Sequence, residues 1–405
     1  MKSFLEEVIE EVQLKYGSLE EIVFVLPSKR AGTFLRNSIL KTANKTAFAP
    51  EIYSIETFIE KIANLGYANN TEQLFHLYES YLKTTPGEPE NFYAFSKWGQ
   101  TLLQDFNEID RYLVDPKAIF SHLSSIKEIN HWSLQEGKTS MITDYLQFWK
   151  NLPDLYEAFN TSLLEKDLGH QGLVYRRATE QLETYLASKP EAVHIFIGFN
   201  ALNTAESKII QEILETSPSD IYWDIDPYFL EEKIHDAGHF IRQHFKTWNS
   251  LLNRPKKGVK ENYLEKKDIQ IIGLPKNVTQ AKYVGSLLGK IHSENRGQLK
   301  NTAVVLGDEN LLNPIMNSVP EEIEGVNITM GYPLQNSPLA SFFTQFFELY
   351  LNKDPQGWYF QDLLNFLSHP YTKIYLTQND IDGSYILSEA IKSKNWSYVN
   401  LEKIN

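Results

Sequence analysis

The chain reads as an α/β protein of two parallel-sheet lobes, each interrupted or followed by a large helical block. Three observations lead there. Short, continuous apolar runs alternate with amphipathic helices near the start of the chain, around residue 195 and again from residue 269. Between residues 70 and 190 apolar residues instead recur at three- and four-residue spacing, with no strand-like alternation. From 269 to 332 the order β-α-β-α-β implies parallel strands joined by right-handed crossovers.

The elements follow in order. A helix is expected over 2–15 and a strand over 21–26, EIVFVL. Pro27 ends that strand, Ser28 caps a helix over 28–41, and Ala31, Phe34, Leu35 and Ile39 give this helix its buried side. Ser54 precedes a further helix with Phe58 and Ile62 on one side, which closes the first part of the first lobe at about residue 65. Residues 66–190 form the helical insertion, with EQLFHLYESYL and ITDYLQFWKNLPDLYEAF as its clearest amphipathic stretches. The first lobe resumes over 191–253. It has a buried-type strand at His194–Phe199, a capping-box pair Asn203 and Glu206 opening a helix, and a strand from Asp220.

Residues 254–268, RPKKGVKENYLEKKD, lack apolar periodicity and read as a basic linker. The second lobe, 269–340, takes strands at IQIIGL, TAVVLG and VNITMGY, with helices at VTQAKYVGSLLGKIHS and ENLLNPIMNSV between them. The start of a second helical insertion, 341–405, follows, with SFFTQFFELYL and FQDLLNFLSHPY as its helical stretches.

The chain has 405 residues, enough for two or three domains. It has no Cys, which excludes disulfides, thiolate metal sites and a Cys nucleophile. No apolar run approaches ~18 residues, and the acidic start MKSFLEEVIEEV is unlike a signal peptide, so a cytoplasmic, non-membrane protein is expected. The net charge of −13 argues against the whole surface attracting polyanions. Yet residues 254–300 carry eleven Lys and Arg against four Asp and Glu. This basic island is either a solvated linker plus one surface helix or a strip facing nucleic acid.

A strand–turn–helix near the start of a chain is where nucleotide-binding folds hold phosphate, but the glycines of a phosphate loop are missing here. GSLLGKIHS, from Gly285, has one spacer too few and Ile291 where a hydroxyl is needed. No cofactor is therefore expected. The first turn after the strand instead offers Ser28, Lys29, Arg30 and Thr33, hydroxyls and cations at a helix start that suit a phosphodiester. Asp224 and Asp226 at a strand end could hold Mg²⁺ or Mn²⁺, as in a metal-dependent, glycosyltransferase-like nucleotide-sugar enzyme. His235, His239 and His244 share a helical spacing but lack the Glu that a zinc hydrolase uses as base, so a packing role is expected. The acidic helical block could also dock a partner protein.

Several segments together resemble one family. VFVLPSKRAGTFLR resembles motif Ia of superfamily 1 helicases, IFIGFNALNTAE the DGFxxFTxxE strand–turn–helix of AddB-type subunits, and residues 301–343 the second RecA-like lobe of the same proteins. With KWGQTLLQDFNEIDRYL and LSHPY, the chain resembles AddB-like proteins of the Bacteroidetes type. These are described as an inactivated superfamily 1 helicase region fused to a C-terminal PD-(D/E)XK nuclease. The sequence departs from active helicases in having no Walker A segment before Ile22, and from AddB in having Ile197 where an acidic residue precedes the glycine.

The resemblance implies two RecA-like lobes with helical insertions, no ATP hydrolysis, and a role in double-strand-break repair or DNA end processing. It further implies single-stranded DNA or duplex ends as ligand, and an AddA/RecB-like helicase subunit as possible partner. Ser28, Lys29, Arg30 and Thr33 become first-lobe DNA candidates. The second-lobe candidates are Asn327, Thr329 and Tyr332, with Asn336 and Ser337; the ring of Tyr332 suits base stacking.

Overall fold

The computed structural model describes residues 2–42, 48–132, 140–232, 234–252, 254–294 and 296–404. They form two compact units, Met1–Asp268 and Ile269–Asn405.

The first unit is organised by a short parallel sheet. Its strands are β1 (Ile22–Leu26) and β2 (Glu51–Ser54), then β5 (Val193–Ile197) and β6 (Asp220–Tyr222), in the order β2-β1-β5-β6. Two-residue strands β3 (Gly66–Tyr67) and β4 (Leu168–Gly169) pair in parallel elsewhere. Every β1 side chain is buried, because the sheet is covered on both faces. Ile22, Phe24 and Leu26 point to one face, against α1 (Phe4–Tyr16) and α2 (Lys29–Thr42). Val23 and Val25 point to the other, against α3 (Ile55–Ala63).

The helical block between β3 and β4 comprises α4 (Asn70–Thr84), α5 (Phe92–Arg111), α6 (Pro116–Trp132) and α7 (Ser140–Leu164). The β3–β4 pair holds the outgoing and returning chain side by side at its base. The next helix, α8 (Gln171–Ser188), serves both parts. Val174, Tyr175, Ala178 and Leu182 enter the sheet core with α9 (Thr204–Thr216), while Leu173 joins the core of the helical block.

A buried polar cluster ties these helices together. Asp110 of α5, fully buried, accepts from Tyr156 of α7 and from Arg176 Nε of α8. His170 caps α8, its Nδ1 accepting from Leu173 N, so the ring proton sits on Nε2, 3.2 Å from Asp110 Oδ2 and 3.1 Å from Asn160 Oδ1. Burial alone would raise the Asp110 pKa, but the hydrogen bond from His170 and the neighbouring Tyr156 and Arg176 keep it lowered.

Two expectations change in this unit. Phe34 is not part of the buried side of α2; it is 53% exposed, while Leu35 is buried as expected and Gly32 and Ser38 face inward with it. Residues 254–260 are not a free linker. Trp223 N donates to Lys257 O, Lys260 N donates to Ile225 O, and Ile225 bridges Val259 in parallel, so this segment extends the sheet edge beyond β6. Two short helices, α10 (Pro227–Glu231) and α11 (His239–Thr247), lie between β6 and that segment.

The second unit contains α12 (Asn277–Glu294) and α13 (Leu312–Met316), where the periodicity places helices. Its expected sheet is absent among the described residues. Residues 269–274, 303–307 and 326–332 run without ladder partners, leaving Ile271 95% and Val305 87% exposed. Apolar alternation encodes an extended backbone, whereas a ladder also needs an adjacent strand. GSLLGKIHS lies within α12, and Gly285 is there for packing, since a Cβ would come within 2.0 Å of Ser318 O. Beyond Pro338, α14 (Pro338–Leu351), α15 (Phe360–Ser368), α16 (Pro370–Leu376) and α17 (Gly383–Ser393) make a helical block centred on Leu349, Leu363, Leu367 and Ile391.

The contact of α8 with α5 gives a direct test. Gly172 N donates to Asn107 Oδ1, and a Cβ at Gly172 would come within 2.2 Å of Asn107 O. Gly172→Ala is expected to force the helices apart and destabilise this unit by about 1–3 kcal/mol. Urea unfolding followed by helical circular dichroism should show a lowered midpoint.

Candidate functional site

The C-terminal ends of β1 and β2 open onto the first turns of α2 and α3. Ser28 caps α2, its Oγ accepting from Ala31 N, and no acidic residue occupies the first turn of that helix. Ser54 caps α3 in the same way, accepting from Thr57 N at 3.3 Å, and its hydroxyl lies 3.0 Å from Thr57 Oγ1. Between the two helix starts is a cavity of about 250 Å³, lined by Lys29, Thr33 and Arg36 from α2 and by Tyr53, Ser54 and Thr57 across from them. Gly32 and Ile52 form its floor. A Cβ at Gly32 would already lie 3.2 Å from Ile52 Cγ2, so the glycine sets how closely α2 approaches β2.

The chemistry of this cleft is that of an anion site. Two cations and three hydroxyls converge, and among the described residues neither Lys29 nor Arg36 has a carboxylate partner. Thr33 Oγ1 donates to Lys29 O, which fixes its rotamer and leaves its lone pairs available. The only nearby acid on β2, Glu51, is engaged elsewhere. It accepts from Lys189, Lys61 and the Tyr53 hydroxyl. Burial would raise the Glu51 pKa, but those hydrogen bonds outweigh it and hold the carboxyl at about 2. The same network steadies Tyr53 and the start of α3.

Lys29 and Thr33 thus lie in the cleft, while Ser28 acts as a cap beside it. Arg30 lies outside: its guanidinium covers the exposed Phe34 ring at 5.7 Å. Arg36 and Thr57 were not singled out from the sequence. The signal for Arg36 was present, because 29, 33 and 36 share one face at i, i+4 and i+7. Thr57 reaches the cleft only through the pairing of β1 with β2.

In the second unit, the Tyr332 hydroxyl accepts from Asn313 Nδ2 and donates to Asn336 O. Ser337 Oγ donates to Leu334 O, so Tyr332, Asn336 and Ser337 share one tight turn with the ring 45% exposed. Asn327 and Thr329 stand exposed on the extended segment before it.

Of the other candidate groups, Asp226, His235 and His244 are engaged in structure. Asp226 caps α10 through Tyr228 N, and its second oxygen accepts from Asn262 N and Tyr263 N, which lowers its pKa. Asp224 has its pKa raised by burial and by Glu7. Among the described residues no three His, Asp or Glu gather as a metal site. His244 Nε2 donates to Asn200 O and His235 meets the Tyr228 hydroxyl, a packing role for each. Much of the basic island near β6 is paired: Lys257 with Asp220 and Glu11, Lys260 with Glu7, and Arg254 with the carbonyls of Ser219 and Leu214.

The Glu51 network carries a pH signature. Its pKa falls on folding from 4.5 to about 2, so its stabilisation is complete above the unfolded value and is lost as pH drops toward the folded one. Glu51→Gln should therefore be less stable than the parent at about pH 6, with the difference closing near about pH 2.5. Urea midpoints measured across that range check this; a constant difference would rule out the linkage. Compared with profiles of known protein families and with curated proteins, the chain matches none.

Proposed function

We propose that the chain is a helicase-like DNA-binding scaffold, without ATP hydrolysis of its own, in a helicase–nuclease system for double-strand-break repair or end processing. The observation that carries this reading is the cleft joining Lys29, Thr33 and Arg36 to Ser54 and Thr57. A single phosphodiester group meets two cations, three hydroxyls and two helix starts there. The turn at Pro27 and Ser28 has no glycine to wrap a triphosphate, so backbone recognition suits it better than nucleotide binding.

The resemblance to AddB-like proteins supports the same reading. In it, the first unit is a RecA-like lobe whose helical insertion falls between β2 and β5, and residues 269–340 stand where the second lobe lies in such proteins, without its sheet among the described residues. Tyr332, held by its hydroxyl with its ring exposed, is the stacking partner for a base. Single-stranded DNA or an opened duplex end is the ligand, and an AddA/RecB-like helicase subunit is the partner.

Fluorescence anisotropy with a labelled single strand of about 20 nucleotides tests the reading at low salt. The chain should bind, and Lys29→Ala with Arg36→Ala should weaken binding and flatten the dependence of log K on log salt by about 0.7 per cation removed. Arg30→Ala should change little, because that side chain covers Phe34. Undiminished binding by the double variant, or binding no tighter than that of an unrelated acidic protein, overturns the proposal.

A further inference from the structure

The helical block of the first unit carries a second feature, unrelated to the phosphate cleft. An open groove of about 720 Å³ runs between α5, α6 and α7. Its floor is one stripe of α5 and the turn after it: Trp98, Leu102, Asp105, Ile109 and Tyr112. These positions recur every three or four residues over four turns, so the stripe is about 20 Å long. Phe120 and Leu123 of α6 form one wall, Phe148 and Leu152 of α7 the other. Rings meeting edge to face stiffen it, Trp98 with Phe148 at 5.4 Å and Phe106 with Phe120 at 5.9 Å. At the mouth, Tyr112 is 46% and Val114 37% exposed.

The charge of the groove is one-sided. Among the described residues two carboxylates, Asp105 and Glu108, line it, and no Lys or Arg does. Glu108 is paired with Arg111 at 3.2 Å. Asp105 has no ion-pair partner among the described residues, and its apolar surroundings raise its pKa. Asp105 is thus an exposed, unneutralised acid beside the aromatic side chains of the groove.

We propose that this groove docks an amphipathic helix of a partner protein, which lays an apolar stripe along α5 and presents an Arg or Lys to Asp105. Length and shape select a helix. Spread over about 20 Å, the volume is a shallow trough that takes the i, i+3 or i+4 and i+7 side chains of one helical face. Charge selects a basic helix, because an acidic one would set like charges against Asp105 and Glu108. The inference stands independently of DNA binding.

The probes are three labelled peptides of about 18 residues, or roughly 27 Å as helices. One has a Leu stripe flanked by Arg, the second is its scramble, and the third carries Glu for each Arg. Titrated against the full 405-residue chain, the striped basic peptide should bind about tenfold or more tighter than either control. Asp105→Lys should lower its affinity about tenfold, and Val114→Asp at the exposed mouth should do the same by wetting the apolar stripe. Circular dichroism checks that both variants keep their helix content. Equal binding of the striped and scrambled peptides, or affinity unchanged in both variants, overturns the proposal.

Discussion

Strand β1 is buried along its whole length, and the first unit is arranged around that constraint. A buried strand must have its backbone groups paired on both edges, since an unmade hydrogen bond in an apolar setting is costly. β2 supplies one edge and β5 the other, both in parallel. Parallel pairing requires crossovers, so α2 connects β1 to β2, and everything from α3 to α8 lies between β2 and β5. The helical block can be long because β3 and β4 bring its two ends together before the chain returns to the sheet.

Asp110 keeps that block in register with the sheet. A buried carboxylate stripped of one partner costs about 3–5 kcal/mol, so the helices that bear Tyr156, His170 and Arg176 hold their positions around it. α8 then transmits the arrangement, one side in the helical core and the other in the sheet core. Close approach at Gly172 makes this joint tight.

Charge is sorted in space rather than along the chain. The acidic first helix and Asp220 neutralise Lys257 and Lys260 of the basic island, and in doing so fasten residues 254–260 to the sheet edge. Lys29 and Arg36 belong to a stretch, residues 22–50, with five Lys and Arg and no Asp or Glu, and among the described residues neither has a carboxylate partner. Glu51 leaves those two cations unneutralised because Lys61 and Lys189 engage it. Net charge therefore says little about which surface attracts an anion.

Local features were legible along the chain: the apolar strand ending at Leu26, the Ser28 cap, the Asn203–Glu206 capping box and the helical character of residues 70–132 and 140–164. Each depends on periodicity or on groups three or four residues apart, and both can be read along the chain. Half of the cleft was legible in the same way, through Lys29 and Thr33 on the helix after β1. Tertiary structure alone decided that Arg30 turns to Phe34, that Arg36 and Thr57 complete the cleft, and that Lys257 and Lys260 of the island are paired with acids. It also decided that the strand-like runs at 269–274, 303–307 and 326–332 stand without a ladder. Ion pairing, strand pairing and cavity lining join residues far apart in sequence, and no local pattern encodes which partner arrives.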